Sequence, residues 1–293
     1  MKKRIKPEKI ALDEIKRETV LEFLSWLEQA RSCSVSTRNT RLAAIHSFCR
    51  YTQYEDPGYL FESQRVLSIP HKRSSGSIFK YLTVEGVKLL LSQPNLSSKR
   101  GRRDLALLSL IYDSGGRVQE IIDLTPTMVR LSPTPVLNII GKGQKTRVVP
   151  MLNAQLDILE RYMKENGLLA PEMGSHPLFF NARREKLSRV GVNYILRKYA
   201  SRARNENSSL IPQKISCHSL RHSKAMHLLQ AGVNLIYIRD ILGHSSVKTT
   251  EIYARADSSA KRRALEEVYT NLKPSEESLW EGNHDLVSWL RSF

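Results

Sequence analysis

The chain has 293 residues, and its 41% hydrophobic content is enough for a buried core and for two domains. Lysine and arginine number 46 against 29 acidic residues, and this formal net charge of +17 indicates a long polyanion such as nucleic acid as the partner. Three scattered cysteines exclude a disulfide framework and a cysteine zinc site, and no apolar run reaches the roughly 18 residues of a membrane helix. We therefore expect a soluble protein of the reducing cytoplasm.

Near the N-terminus, two apolar stripes at helical spacing predict two helices. The first stripe consists of Val20, Phe23, Leu24 and Leu27, and the second of Leu42, Ile45 and Phe48. Arg38 and Arg41 lie one turn apart on the second helix, on a face distinct from much of its apolar stripe. They are candidate contacts for DNA phosphates, and a solvated helix face is the alternative.

The stretch from Ile69 to Ser77 has proline, glycine, serine and basic residues without apolar periodicity, which is typical of a linker between domains. Beyond it, Thr83 can cap a helix that continues through Leu91. The almost uniformly apolar run from Leu105 to Tyr112 predicts the central helix of a second domain.

That central helix ends at two glycines, and Arg117 follows them directly. Glu120 lies on the next helix, one turn from Arg117. Glycines allow close backbone approach, and a buried arginine fork needs an acceptor. From these residues alone, an ordinary ion pair on a helix surface is the commoner interpretation.

The string VLNIIGKGQKTRVVP has two β-rich runs around a Gly-Lys-Gly turn and predicts a hairpin with Lys142 at its tip. The string lacks the spacer and following helix of a P-loop, so we expect no bound nucleotide. Farther on, Asn153 can cap a helix through Asn166, and Ser188 can cap a strongly basic helix that ends near Arg204.

Three helix ends bring polar groups together in the last third of the chain. A helix begins at HSLRH with His218 and Arg221 in its first turn, where free N–H groups and an arginine fork favour a bound phosphate. A second helix ends at Gly243, and His244 follows directly. A serine next in the chain can cap a third helix that contains Tyr253.

The strings HSLRH, LGHSSVKTT and EIY resemble the tyrosine recombinase, or phage integrase, family, as do SGGRVQE, GKGQKTR and VSTRNTRLAAIHSFCRY. The resemblance implies Tyr253 as the nucleophile, Glu120 in a supporting role, and Lys145 and Arg147 as DNA contacts. The further catalytic residues that it implies are Arg117, Lys142, His218, Arg221 and His244.

The resemblance also implies a fold that is mainly α with a small antiparallel β-sheet. The expected parts are a helical core-binding domain (1–70), a linker (71–79), a catalytic domain (80–270) and a C-terminal tail helix (271–293). The tail has an apolar stripe that we expect to dock on a neighbouring subunit, formed by Leu286, Trp289, Leu290 and Phe293.

For activity, the resemblance implies a metal-independent DNA strand transferase with no cofactor. Its partner would be double-stranded DNA at specific recombination sites, bound by a homo-oligomer that is a tetramer on paired sites, alone or with related recombinases. We expect it to serve a mobile element, with a resolvase of replicon dimers as the alternative.

Three other classes of function are also considered. A catalytically decayed DNA-binding protein is disfavoured by the intact set of catalytic residues, although the short N-terminal domain favours it. A metal hydrolase using His218, His222 and His244 lacks acidic ligands near these histidines. A type IB topoisomerase shares the chemistry and differs in relaxing DNA as a monomer.

Overall fold

The chain forms two compact units, Met1–Ile78 and Phe79–Phe293. A computed structural model describes residues 11–73, 81–132, 134–141, 143–256, 265–266 and 288. These residues form α-helices, short 3₁₀ turns and a three-stranded antiparallel sheet. The predicted fold class, mainly α with a small antiparallel β-sheet, is therefore confirmed. Among the described residues, no helix has the length and apolar character needed to cross a membrane.

The first unit contains helices α1 (Arg17–Gln29), α2 (Val35–Glu55) and α3 (Leu60–Leu67). Ser34 caps α2, because its side chain accepts a hydrogen bond from the amide of Thr37 at 3.2 Å. The three helices enclose an apolar core formed by Val20, Leu24, Leu27, Leu42, Cys49, Val66 and Ile69.

The buried face of α2 differs from the predicted one. Phe48 is 43% exposed, so the predicted stripe is wrong at this position. On α1, Phe23 is also outside the core and stacks on Trp26, with ring centroids 6.2 Å apart. The buried positions of α2 follow helical spacing and include polar residues: Arg38, Leu42, His46, Cys49 and Thr52.

Arg38 and Arg41 do not share an exposed face, contrary to the prediction. Arg41 is exposed, whereas Arg38 is 5% exposed. The Nη1 atom of Arg38 donates to Asn39 Oδ1 at 3.1 Å and to the Pro70 carbonyl at 3.4 Å. Asn39 Nδ2 in turn donates to the Lys72 carbonyl at 2.7 Å. Arg38 therefore helps to hold the segment after α3 against α2.

The second unit contains the remaining helices and the sheet. Its central helix α5 (Lys99–Ser114) packs against α7 (Asn153–Glu165) and α9 (Cys217–Gln230), and its residues Leu107, Leu108 and Ile111 are fully buried. The helices are α4 (Val84–Leu91), α5 (Lys99–Ser114), α6 (Val118–Ile122), α7 (Asn153–Glu165), α8 (Arg189–Glu206), α9 (Cys217–Gln230), α10 (Leu235–Leu242) and α11 (Val247–Ala256).

The sheet contains the predicted hairpin. Strand β2 (Val136–Ile140) pairs antiparallel with β1 (Val129–Arg130) and with β3 (Thr146–Pro150). In the hairpin, Ile139 pairs with Arg147 and Ile140 with Thr146. Lys142, predicted at the tip, lies outside the described residues.

Side-chain caps begin two of the predicted helices. Thr83 caps α4 and Ser188 caps α8, each by accepting a hydrogen bond from an amide three residues later. The cap predicted at Asn153 is wrong. Leu152 has the extended backbone of the N-cap position and makes no side-chain cap bond, so Asn153 is already helical.

Candidate active site

Helix α9 contains three candidate site residues near its start. Ser216 and Ser219 form a capping pair, in which the Ser216 amide donates to Ser219 Oγ at 3.2 Å. His218 is exposed at this helix end, as expected for the first turn. Arg221, one turn later, is only 4% exposed, and His222 is half-buried beside it.

Two main-chain carbonyls hold the buried guanidinium of Arg221. Its Nη1 donates to the Gly115 carbonyl at 2.6 Å, and its Nη2 donates to the Leu242 carbonyl at 2.7 Å. These carbonyls lie at the C-terminal ends of α5 and α10, where carbonyls lack helical partners and carry partial negative charge. A guanidinium has five N–H groups. The two bonds thus fix the side chain and leave donors for a ligand oxygen.

Glu120 binds two more arginines on the same side of the unit. Its carboxylate accepts from Arg117 Nη1 at 2.8 Å, from the Arg117 amide at 2.9 Å and from Arg147 Nη2 at 2.6 Å. The side chains of Glu120 and Arg147 are 6% and 11% exposed, whereas that of Arg117 is 39% exposed. Glu120 therefore holds a partly exposed arginine in a fixed place.

Arg147 joins the hairpin to the end of α10. Its Nε donates to the Ile241 carbonyl at 2.9 Å, in addition to its bond with Glu120. Gly243 has a left-handed backbone conformation and ends α10. It lies against Arg147, because a Cβ added to Gly243 would be 2.9 Å from Arg147 Nη1. The side chain of Arg147 is 11% exposed and is held by these two bonds, and its predicted role as a DNA contact stays a prediction. Lys145, two residues earlier, is exposed.

His244 follows α10 and bonds to a residue of the next helix. Its Nδ1 lies 3.0 Å from Oγ1 of Thr250, a fully buried residue of α11. Ser246 lies just before α11 and accepts a hydrogen bond from the Lys248 amide at 3.2 Å, as predicted for a serine cap. The Thr250 bond therefore fixes the orientation of the His244 ring.

Tyr253 is buried on α11 beside two imidazole rings. It is 4% exposed, and its hydroxyl lies 2.9 Å from Nδ1 of His222. The ring of His244 is parallel to that of Tyr253, with centroids 6.4 Å apart and an interplanar angle of 8°. Helix α9, the end of α10 and helix α11 thus bring His222, His244 and Tyr253 together.

Comparison with known proteins identifies this arrangement. The sequence profile of the phage integrase family matches residues 80–260. The chain belongs to the phage integrase family. It is a tyrosine recombinase, a site-specific DNA strand transferase. It is 37% identical over 287 residues to a Sinorhizobium fredii protein named as integrase/recombinase y4rC, covering 98% of this chain and 84% of that protein.

Further relatives and solved structures agree. The tyrosine recombinase XerD of Xanthomonas axonopodis pv. citri is 33% identical over 271 residues, which cover 89% of this chain and 83% of XerD. A XerH recombinase bound to palindromic difH DNA, in a post-cleavage complex, has a TM-score of 0.69 and 25% identity, covering 87% of this chain and 73% of that one. The Tn1549 transposon integrase shares the fold, with a TM-score of 0.70 at 17% identity over 89% and 87% of the two chains.

In this recombinase, burial and positive charge control the ionisation of the candidate site. Burial, and then the charge of Arg117, lowers the pKa of Arg221 to about 10. Burial raises the pKa of Tyr253, while the charges of Arg221 and Arg117 act in the opposite direction. Burial is the main cause that lowers the pKa of His218, and the charges of Arg221 and Arg117 lower it further. The same causes lower the pKa of His244 to about 4. The site is therefore positively charged with neutral histidines at neutral pH.

The carboxylate of Glu120 remains ionised between its arginines. Burial alone would raise its pKa, but hydrogen bonds and charge from Arg147 and Arg117 outweigh that effect and hold the pKa below its usual range. The site therefore combines three guanidinium groups with this carboxylate, which leaves a net positive charge suited to an anionic ligand.

The structure brings together five of the six predicted catalytic residues. Arg117, His218, Arg221, His244 and Tyr253 interact by charge or ring contact within the second unit. The sixth, Lys142, lies outside the described residues. Its neighbour Gly141 lies near Glu120, because an added Cβ there would be 3.5 Å from Glu120 Oε1.

Sequence reasoning missed the roles of two residues. His222 is in the HSLRH string and was visible only as a flank of Arg221, yet it contacts the Tyr253 hydroxyl. Thr250 is one of two adjacent threonines, and only packing shows that it faces His244. Its position three residues before Tyr253 was the available signal, since that spacing places both on one face of a helix.

The histidines of the site do not form a metal-ligand set. Across the described residues, no group of three or more histidine, cysteine, aspartate or glutamate side chains could hold a metal ion. The metal-hydrolase alternative therefore has no ligand set in this part of the chain. His222 and His244 instead contact Tyr253 and Thr250.

Proposed function

We propose that the recombinase cleaves DNA with Tyr253 and stores the broken bond as a 3′-phosphotyrosyl link. The Tyr253 oxygen attacks a phosphate, a new O–P bond forms, and the bond from phosphorus to the 5′ oxygen breaks. Lys142 donates a proton to the leaving 5′ oxygen, and the tyrosine loses its own proton with His218 as the base. Attack by a second 5′-hydroxyl then reseals the strand.

The buried Arg221 is the observation that carries this proposal. It is a cation with unused donors, fixed at two helix ends and close enough to Tyr253 for its charge to favour the phenolate. Negative charge grows on the non-bridging oxygens as a phosphate is attacked, and pre-oriented donors stabilise it. Arg117, fixed by Glu120 and partly exposed, supplies a second fork for the same phosphate.

His244 is proposed as a further donor to that phosphate. A neutral imidazole has one N–H group, and a Thr250 hydroxyl that donates to Nδ1 leaves this group on Nε2. The depressed pKa of His244, about 4, supports a neutral ring at neutral pH. Such a ring can donate to a phosphoryl oxygen while adding no charge to the site.

For contacts to the rest of the DNA, we propose Arg41 in the first unit and Lys145 in the second. Both are exposed, and the formal net charge of +17 supports a polyanionic partner. The internal hydrogen bonds of Arg38 and Arg147 support a different role for them, namely holding neighbouring segments. The proposed reaction uses no metal or cofactor.

The proposed partner is double-stranded DNA carrying paired recombination sites, bound by a tetramer of this chain, alone or with related recombinases. The apolar stripe formed by Leu286, Trp289, Leu290 and Phe293 lies outside the described residues. It is proposed to join subunits. The likeness to an integrase/recombinase over 98% of the chain supports service to a mobile element. We place the protein in the cytoplasm, where its DNA would be.

A plasmid assay tests this function. The probe is a supercoiled plasmid with two copies of the duplex that the purified protein selects from a random-sequence pool. The proposal expects deletion or inversion of the segment between the copies, without added metal. Relaxation without rearrangement would indicate a topoisomerase. Binding with neither product would indicate a decayed DNA-binding protein.

A further inference from the structure

The hydroxyl of the proposed nucleophile is bound by a histidine that the proposed chemistry does not use. Nδ1 of His222 lies 2.9 Å from the Tyr253 hydroxyl oxygen. The two residues come from different helices, α9 and α11, and His222 is half-buried whereas Tyr253 is buried. A bond between helices fixes the hydroxyl with respect to α9, the helix that also contains Arg221.

His222 is distinct from His218, the histidine of the same helix to which the family resemblance gives a role. The two residues are four apart on α9, with ring centroids 6.4 Å apart. His218 is exposed at the helix end, whereas His222 is half-buried with its ring centroid 5.8 Å from that of Tyr253. The two histidines therefore occupy different surroundings.

Burial keeps both partners of this hydrogen bond uncharged, and the charged neighbours add to this effect at His222. His218 and Arg221 face His222 from its own helix, His244 and Arg117 face the site from other segments, and Tyr253 faces it from α11. Burial and then His218 and Arg221 lower the pKa of His222, while burial raises that of Tyr253. A neutral imidazole thus meets a protonated phenol, and with the imidazole proton on Nε2 the phenol donates to Nδ1.

We infer that His222 is a positioning residue, whose Nδ1 accepts the hydrogen bond of the Tyr253 hydroxyl and fixes the oxygen for attack on a phosphate bound at Arg221. This inference rests on the proposed function. Attack needs the oxygen in line with the phosphorus, and a displacement of about 1 Å can slow a reaction by two orders of magnitude. A tyrosine side chain held by one hydrogen bond at its tip loses the freedom to swing away.

Substitutions at His222 separate positioning from proton transfer. His222→Asn places an amide oxygen close to the position of Nδ1 and accepts the same bond, but it does not take a proton. His222→Leu fills a similar volume without accepting any bond. His227→Leu is the matched control, since His227 lies on the same helix and its Nδ1 is 2.8 Å from the hydroxyl of a different tyrosine, Tyr112.

The assay is single-turnover formation of the covalent adduct on nicked duplexes. These duplexes carry the sequence that the wild-type protein selects from a random pool, with the nick moved in steps of one nucleotide. DNA affinity and thermal midpoint are measured for every variant, so that rates refer to folded, DNA-bound protein.

We expect the adduct to form about tenfold more slowly with His222→Leu, because this variant loses one hydrogen bond. With His222→Asn the bond is kept, so the rate should stay within about twofold of the wild-type rate. The control should cleave at the wild-type rate. A wild-type rate in the leucine variant, or an asparagine variant as slow as leucine, would overturn the inference while the proposed function stands. Absence of an adduct from the wild-type chain would overturn both.

Discussion

Among the described residues, Arg38 and Arg221 are buried and Arg147 is nearly so, and main-chain carbonyls hold all three. Arg38 donates to the Pro70 carbonyl, Arg147 to that of Ile241, and Arg221 to those of Gly115 and Leu242. A buried cation is tolerated when its N–H groups are paired. The three differ in use, because only Arg221 is fixed beside Tyr253 with donors to spare.

A sequence pattern cannot separate these uses of arginine. Arg38 and Arg41 are one turn apart and look equivalent on a helical wheel, yet one is buried and the other exposed. The choice depends on Pro70, a residue distant in sequence that packs against α2 only in the folded unit. The candidate catalytic residues occur in strings that resemble those of a known family, and the partners of Arg38 and Arg147 do not occur in such strings.

The difference between Arg38 and Arg41 gives a prediction at the residue scale. With Arg41→Gln, the slope of log affinity for DNA against log salt should become less steep by about 0.9, the value for one neutralised phosphate. Arg38→Gln is the control and should leave that slope unchanged while lowering the thermal midpoint. Filter binding between low and moderate salt gives the slopes. Equal slope changes in the two variants would contradict the assignment.

At the scale of elements, the site is assembled from helix ends. Helices α5 and α10 both end in a left-handed glycine, Gly115 with φ of 57° and Gly243 with φ of 65°. Such an ending turns the chain sharply and leaves carbonyls free, and Arg221 binds carbonyls at both ends. The sequence predicted that these helices end at glycines. It did not predict that one arginine joins them.

Gly243 allows a prediction at this scale, with Gly232 as its control. Both end helices with positive φ, of 65° and 79°, so alanine should cost each about 1–2 kcal/mol of unfolding free energy. A Cβ added at Gly243 would lie 2.9 Å from Arg147. A Cβ added at Gly232 would have no atom within 4 Å. Only Gly243→Ala should therefore also displace Arg147 and slow adduct formation.

Urea unfolding and single-turnover cleavage measure the two effects separately. The two glycine variants should have similar losses of stability, apart from the extra cost of moving Arg147. If Gly232→Ala slows cleavage as much as Gly243→Ala, then general destabilisation, and not the position of Arg147, explains the loss.

At the scale of the whole molecule, the sequence predicted the class of fold and the family. The hairpin and the apolar helix α5 each followed from local sequence pattern. The buried face of α2 could not be predicted in the same way, since it runs through Arg38 and His46 and not through Phe48. Polar residues in a buried stripe are satisfied by distant partners, as His46 is by the Val66 carbonyl at 3.1 Å.

The central claim is that Tyr253 forms a covalent bond with DNA, and trapping of that adduct tests it most directly. A nicked duplex of the selected sequence releases the short strand beyond the cleavage point, so the protein stays attached. Wild-type protein should give a protein–DNA band that survives denaturing electrophoresis. Tyr253→Phe, which removes only the attacking oxygen, should bind the duplex equally well and give no such band. A denaturant-stable band from the phenylalanine variant would show that another residue is the nucleophile.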